Sequence, residues 1–324
     1  MALLGAALLL FGGCAKRGGP ATPDSLPESA EASAPTRPEH SADPPGSVRV
    51  GASLLTIVFE GGESPLPREV IRDWIRRDAE MVAGYLGGFP VPSLEVTVVS
   101  RPGRGGVVFG THDDGQWIRV WLGRTTTQAS LDGDWVLIHE MLHAAFPDLD
   151  ADHKWMQEGL STYLEPIVRA RQGELTEQRV WAFWAEKMEY GRPRAGDRGL
   201  DHTHTWGRTY WGGALFWLMA DVELRRETDN RQSLGDAVRG VLKAGGNGRE
   251  YWSTDRVASV CDEVTGTEVI SRLYAAMAEA PGDVELGALW RRLGVILRDD
   301  GSVDFDDEAP DAHIRRAITA SPAR

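Results

Sequence analysis

The stretch WVLIHEMLHAAF, residues 135–146, combines an almost uninterrupted apolar run with two histidines and a glutamate. Burying polar side chains without partners costs free energy, so these three need partners of their own. On an α-helix, the spacing of His139 and His143 places both imidazoles on one face, with Glu140 beside them. Two neutral imidazoles that face one point form half of a zinc site, and a neighbouring carboxylate can accept a proton from water. The alternative is that the pattern occurs by chance, and the flanking sequence has to decide between the two.

A third candidate ligand follows in DHKWMQEGLSTYLEP, residues 152–166. Glu158 lies far enough beyond His143 for a loop and a returning helix to bring its carboxylate to the two imidazoles. Gly159, next to it, allows two helices to approach closely. The alternative is a solvated surface glutamate, which the large apolar neighbours of Glu158 disfavour.

Composition places the chain among ordinary globular proteins. It has 324 residues, of which 42% are hydrophobic and 26% charged. The formal net charge is −13 and no basic stripe is evident. We therefore expect no nucleic-acid partner.

The N-terminus, MALLGAALLLFGGCAKRGGP, predicts a lipoprotein signal peptide over residues 1–14. Its apolar run is too short to span a bilayer, which takes about 20 apolar residues. The small residues before Cys14 resemble a bacterial lipobox, in which the cysteine receives lipid; the alternative is an ordinary cleaved signal. With Cys14 acylated, Cys261 has no disulfide partner. Together with Ala15, this resemblance predicts a lipid-anchored protein of the bacterial cell envelope, in the outer membrane and periplasmic or surface-exposed, with the membrane as a partner only through that lipid.

Two further segments follow the signal. Residues 15–47 are rich in Pro, Ala, Ser and Glu and nearly lack large apolar residues, which predicts a disordered tether. Residues 48–324 form the predicted globular domain, with a sheet and the central helix over 48–150 and a helical lobe over 151–324. Within the first part, apolar patterns predict an amphipathic helix over 66–88 and strands near 53 and over 94–100, 106–111 and 117–123. The last two strands flank HDDG, which is typical of a hairpin turn.

The two motifs together resemble the glutamate-zincins, in which H-E-x-x-H is followed by W-x-x-E-G. DHKWMQEGLSTYLE is similar to the D-H-x-W-L-N-E-G segment of the aminopeptidase N family and the W-x-x-E-G-x-T-x-Y segment of the glycyl aminopeptidase family. The resemblance implies an α+β, thermolysin-like, two-lobed fold, in which a small twisted sheet and the active-site helix face a mainly helical C-terminal lobe. It also implies a zinc metallopeptidase domain over 48–324.

The resemblance also implies roles for single residues. His139, His143 and Glu158 would bind one Zn²⁺ per chain, and Glu140 would be the general base. Glu165 matches a second glutamate of the aminopeptidase N pattern, for which we expect an orienting bond to a ligand imidazole. The alternative for Glu165 is a helix-end charge before Pro166.

A further match lies in GRTYWGGALFWLMADVELRRET, residues 207–228, which resembles the Y-x-K-G-A helix of the same families. It implies that the Tyr210 hydroxyl stabilises the oxyanion, although Gly212 stands where the families carry lysine. The alternative is a core tyrosine. We interpret His202 and His204 as loop histidines without a catalytic role; the alternative is an oxyanion donor, for which His204 is preferred over His202.

The resemblance predicts a zinc-dependent peptidase that acts on a peptide or protein substrate lying along an edge strand, 106–111 or 117–123. Aminopeptidase N relatives carry G-x-M-E-N there, and its glutamate holds the substrate's free amine. This chain has GGVVFGTHDDG over 105–115, without a glutamate, so aminopeptidase activity does not follow. Two alternatives remain open: a lipid-anchored binding or assembly module with a structural zinc, and hydrolysis of a bond other than a peptide.

Overall fold

A mixed five-stranded sheet dominates the N-terminal part of the computed structural model, which describes residues 46–103, 105–113 and 115–320. The strands are β1 (Ser47–Val50), β2 (Ser53–Gly61), β3 (Ser93–Arg101), β4 (Val107–Asp113) and β5 (Trp117–Gly123). Their order across the sheet is β1-β2-β3-β5-β4. β2, β3 and β5 run parallel, while β1 and β4 pair antiparallel at the two edges. The predicted strands are confirmed, and of the two candidate edge strands β4 is the one at the edge.

The β4–β5 hairpin differs from its prediction in one respect. HDDG was expected to form the turn, yet β4 continues through Asp113, and His112 pairs with Ile118 in the antiparallel ladder. The register explains the difference, because the strands stay paired for two residues into the expected turn, through His112 and Asp113. His112 therefore belongs to a sheet edge with a fixed direction, and not to a loop.

The predicted amphipathic helix is α1 (Arg68–Leu86), which lies against β1 and against the helix that carries the two histidines. Its buried face includes Ile71, Trp74 and Ile75, each exposed by 1% or less. Gly87 ends the helix with a left-handed φ of 83°, a conformation that favours glycine. The predicted helix is thus confirmed in both its buried apolar face and its end at glycine.

The rest of the described chain is mainly helical. The helices are α2 (Gln128–Asp132), α3 (Val136–His143), α4 (Lys154–Arg171), α5 (Glu177–Lys187), α6 (Gly213–Thr228), α7 (Leu234–Lys243), α8 (Thr254–Thr265), α9 (Val269–Met277), α10 (Leu286–Leu293) and α11 (Ala312–Thr319). A π-helical segment, Gly207–Gly212, leads into α6. The helical lobe predicted over 151–324 has an exception, a hairpin of β6 (Val295–Leu297) and β7 (Val303–Phe305). The α+β class, with a small sheet and a helical region, is confirmed.

Glycines bring α4 unusually close to α6. A Cβ on Gly159 would lie 2.3 Å from the carbonyl carbon of Gly213, and one on Gly213 would lie 2.1 Å from the carbonyl oxygen of Trp155. Contacts this short are possible only without side chains, so both positions need glycine for steric reasons. The close approach predicted for Gly159 is confirmed, and it fixes α4 against the helix that follows Tyr210.

The predictions for the N-terminus mainly concern residues that the structure does not describe. Cys14, the signal over 1–14 and the tether up to residue 45 lie outside the described residues. β1 begins at Ser47, one residue before the predicted start of the domain. Within the described ranges, no helix has the length and apolarity needed to cross a membrane.

Candidate metal centre

The helix α3 holds both histidines in the interior of the protein. Apart from the half-buried Val136, its apolar residues are buried, and Leu137, Ile138 and Met141 have no exposed surface. Asp134 starts the helix, because its Oδ2 accepts a hydrogen bond of 3.0 Å from the Leu137 N–H. Burial raises the pKa of Asp134 to about 6. The N-cap itself is Trp135, and the carboxylate of the preceding Asp134 satisfies one N–H of the first turn.

Three donor atoms converge between α3 and α4. The Oε2 atom of Glu158 lies 3.2 Å from His139 Nε2 and 3.4 Å from His143 Nε2. In a tetrahedral site with bonds of about 2.0–2.1 Å, neighbouring ligand atoms lie about 3.4 Å apart. Glu158 thus lies from each imidazole at about the spacing that a tetrahedral zinc ion requires, and all three donor atoms lie within 4.8 Å of one another.

The protonation states of two of these groups also suit a cation. Burial lowers the pKa of His143 to about 4, which leaves its imidazole neutral with a free lone pair. Burial alone would raise the pKa of Glu158, but the two imidazoles outweigh it and hold that pKa well below its usual range. Burial lowers the pKa of His139, but the nearby carboxylates of Glu158 and Glu140 raise it by more, so the net shift of that pKa is upward. A neutral imidazole and an ionised carboxylate are the forms that bind metal ions.

The predicted partner of the ligand imidazoles, Glu165, bonds elsewhere. Its Oε1 accepts a hydrogen bond of 3.1 Å from Arg169, and the Nδ1 atoms of His139 and His143 have no hydrogen-bond partner among the described residues. Glu165 is 6% exposed, in the middle of a helix that continues past Pro166 to Arg171. The helix-end alternative is therefore wrong. Burial raises the pKa of Glu165 to about 7, and its charge acts on His139 through space.

Glu140 lies under the edge strand β4. A Cβ on Gly110 would lie 2.7 Å from the Cγ of Glu140 and 2.8 Å from its Oε1, so any other residue at position 110 would displace the Glu140 side chain. Two residues on, and hence on the same face of the strand, His112 Nδ1 lies 2.9 Å from Glu140 Oε2. The expected general base is thus held between a glycine and a histidine of the sheet edge.

His112 was missed by the sequence interpretation. Its ring also stacks on that of His143, with centroids 3.8 Å apart and planes 19° from parallel. As a result His112, Glu140 and His143 form a second possible metal-binding group, which shares His143 with the predicted one. The alternation of Gly110 and His112 in GTHDD was available in the sequence, but the turn assigned to HDDG hid it.

Tyr210 faces the centre from the π-helical segment. Its ring lies within 24° of parallel to that of His139, at a centroid distance of 6.2 Å. Burial and the charges of Glu158 and Glu140 raise the pKa of Tyr210, which keeps the phenol protonated. π-Helical turns occur often at functional sites. Tyr210 is partly buried and packs against the hydrophobic core as well as facing His139, so its role as oxyanion donor stays a prediction beside the core alternative.

The other candidate histidines lie in different surroundings. His204 is 49% exposed and its Nε2 lies 3.7 Å from Asp152, while His202 pairs with Glu279 at 3.0 Å. Within the described part of the chain, neither histidine has a recorded contact with the three donors. His204 therefore has no geometric support as an oxyanion donor in this arrangement.

The structure has known relatives in fold. No protein-family model and no curated protein matches the chain. The structure is similar to that of an aminopeptidase N family protein from Idiomarina loihiensis, with a TM-score of 0.60 and 15% identity, over 82% of this chain and 52% of the other. It also matches an M1 zinc metallopeptidase from Deinococcus radiodurans, with a TM-score of 0.47 and 18% identity, over 74% of this chain and 53% of the other. The chain spans about half the length of these structures, and the first likeness confirms the fold that the motifs predicted.

Proposed function

We propose that this chain is a zinc-dependent hydrolase that cleaves peptide bonds. The observation that carries the proposal is the convergence of His139 Nε2, His143 Nε2 and Glu158 Oε2 within 4.8 Å of one another, with Glu140 next to His139 in the helix. The fold adds support, since it is shared with an aminopeptidase N family protein. The choice of peptide as substrate rests on the motif resemblance.

Each residue of the centre has a task in this proposal. One Zn²⁺ held by the three donors would supply Lewis-acid polarisation of a carbonyl and would lower the pKa of water. Glu140 accepts the proton of the attacking water and returns it to the nitrogen of the leaving amine as the C–N bond breaks. The protonated hydroxyl of Tyr210 donates a hydrogen bond to the oxyanion.

The edge strand contributes both to substrate binding and to the base. β4 has β5 on one side only, so its free edge can pair with an extended peptide. The same strand carries Gly110 and His112, which hold Glu140. His112 acts as a positioning residue, since a fixed second oxygen leaves the first free to face the water.

A structural zinc site is the competing function. Such a site is closed by a fourth protein ligand, whereas a catalytic one keeps a position open. Among the described residues, the group of His139, His143 and Glu158 has three members and no fourth histidine, cysteine or carboxylate joins it. Hydrolysis of another kind of bond would use the same residues, and only substrates distinguish it.

A digest of a peptide library tests the activity. Purified 48–324, loaded with one equivalent of Zn²⁺, is incubated with the library and the products are read by mass spectrometry. We expect cleavage that disappears on chelation and returns with Zn²⁺, with Glu140→Gln as the inactive control. Full zinc occupancy without cleavage of any peptide would contradict the peptidase and leave the structural site.

We propose further that the domain is tethered to the bacterial cell envelope by lipid on Cys14. Cys14→Ser is expected to release the full chain from membranes in a bacterial host, because the proposed tether has no other anchor. Fractionation and immunoblotting measure this, with Cys261→Ser as the matched control. Unchanged membrane retention of Cys14→Ser would contradict the anchor.

A further inference from the structure

Exposed aromatic side chains gather around the metal centre. In the described ranges, four large aromatic residues are strongly exposed: Trp135 (48%), Tyr190 (44%), Trp206 (56%) and Tyr251 (60%). The first three are linked to the centre by ring contacts. Large exposed apolar groups that cluster beside a polar centre mark a binding surface more often than chance exposure does.

The three exposed rings and two rings of the centre form one continuous series, which we call the aromatic row. Its members, in spatial order, are Trp135, His139, Tyr210, Trp206 and Tyr190. Successive ring centroids lie 5.8, 6.2, 6.2 and 5.9 Å apart. The row therefore runs through a metal-ligand histidine and the proposed oxyanion donor, and it emerges at the surface on both sides.

The long arm of the row, by which we mean Tyr210, Trp206 and Tyr190, is fixed by the backbone. Trp206 and Tyr210 stand four residues apart at the start of the π-helical segment, which places them on one side. A Cβ on Gly207 would lie 2.4 Å from the carbonyl oxygen of Tyr190, and one on Gly191 would lie 2.3 Å from the backbone of Trp211. Two segments thus pack backbone to backbone, and this contact holds Tyr190 beside Trp206.

Three charged side chains in the segments around Tyr190 and Trp206 have partners, and the Lys187 ammonium also lies 5.7 Å from the centroid of the Tyr190 ring. Lys187 pairs with Glu186 at 2.6 Å, Arg208 with Asp197 at 2.8 Å, and His204 lies 3.7 Å from Asp152. A sugar or a charged ligand needs free polar groups beside the rings. An aromatic or bulky apolar side chain needs only the ring faces, which supply area and favourable ring geometry.

We propose that the aromatic row is a specificity site that selects peptides with aromatic or bulky apolar side chains near the scissile bond. This inference rests on the proposed function and names its substrate class. A peptide that pairs with β4 places its carbonyl at the centre and its flanking side chains against Trp206 and Tyr190 on one side or Trp135 on the other. Substrates with small or acidic side chains leave these rings exposed and gain no binding free energy from them.

A positional scan tests the selection. The probes are alanine heptapeptides with terminal lysines, in which a single Phe is moved through the positions. Binding to zinc-loaded Glu140→Gln is measured by calorimetry, and hydrolysis by the wild-type protein is measured separately. We expect Phe at one or two positions to tighten binding about tenfold over the all-alanine peptide.

Three variants are compared in the same Glu140→Gln background. Trp206→Ala with Tyr190→Ala should reduce the preference for Phe to within about twofold, and Trp206→Phe should keep most of it. Tyr251→Ala is the matched control, because it removes an equally exposed aromatic ring outside the row and should keep the preference. Zinc content is determined for each variant, so that loss of the metal is not mistaken for loss of selection.

The outcomes separate this inference from the proposed function. Equal binding of all heptapeptides, or a preference that survives the double substitution, would overturn the aromatic row while hydrolysis by the wild type still supports the peptidase. Displacement of the Phe peptide by an N-acetylglucosamine oligomer at lower concentration would overturn it in favour of a sugar. A Phe preference in binding without any hydrolysis would support the row and refute the peptidase.

Discussion

The metal centre has two sides that are built differently. On the helix side, α3 and α4 supply His139, His143 and Glu158 from the interior, each donor within 3.4 Å of another. On the strand side, β4 supplies Gly110 and His112, which touch the base from a free sheet edge. In the proposed function, the helix side would hold the metal and the strand side would meet the substrate.

This difference decides how a substitution acts. Removing a donor from the helix side leaves a site with two ligands and a buried, uncompensated group, which is costly. Removing a contact from the strand side leaves the donor set complete and changes only the orientation of Glu140. Zinc content and turnover therefore report on different sides of the centre, and four substitutions separate them.

The largest effect is expected at the residue that both possible metal groups share. His143→Ala should lose most of the zinc, because two remaining ligands make a poor site. The measurement is zinc per chain after dialysis, by atomic emission. His202→Ala, which removes an exposed histidine paired with Glu279, is the control and should keep one zinc. Full occupancy in His143→Ala would refute the assignment of both groups.

The helix side is also the part that the sequence predicts best. The four-residue spacing of two histidines in an apolar run defines one helix face without knowledge of the rest of the chain. Glu158 was predicted as a ligand from its apolar surroundings and the family pattern, and the structure places its Oε2 3.2 Å from His139 Nε2. Helical periodicity is local, which is why these residues can be found from the sequence.

The contacts on the strand side could not be predicted from the sequence, for a physical reason. The contact of His112 with Glu140 depends on the register of β4 against β5 and on how α3 passes under the sheet, and neither is encoded locally. The aromatic row joins residues from three separate segments, so no motif could reveal it. The bond from Glu165 to Arg169, instead of to a ligand imidazole, likewise depends on how α4 packs.

The second largest effect is expected for the base. Glu140→Gln should lower kcat by roughly 10³–10⁴-fold, because the amide cannot accept the proton of the attacking water. Zinc should stay at one per chain, since Glu140 is not one of the three donors. Turnover of a cleaved library peptide and zinc content are measured together. A loss of zinc equal to that of His143→Ala would place Glu140 in the metal site, as in the second possible group.

A smaller loss is expected at the oxyanion donor. Tyr210→Phe removes one hydroxyl and keeps the ring against His139, so kcat should fall by about 10²–10³-fold. KM should change little, because the lost bond belongs to the transition state. Tyr251→Phe is the matched control and should keep full turnover. Turnover within a factor of about two of the wild type would show that this hydroxyl is not the donor, and His204→Ala would then be the next variant to measure.

The smallest effect of the four tests the strand side itself. His112→Ala should lower kcat by about 10-fold to 100-fold, the range found when a supporting residue of a metal site is removed, with KM and zinc content unchanged. The reason is that Glu140 loses the bond of 2.9 Å that fixes one of its oxygens. His112→Asn keeps a short side-chain donor at the same place on β4 and should recover most of the turnover, which a purely structural role would not explain. If His112→Ala instead lost its zinc, the metal would lie between His112, Glu140 and His143, and the strand side would have to be counted among the metal ligands.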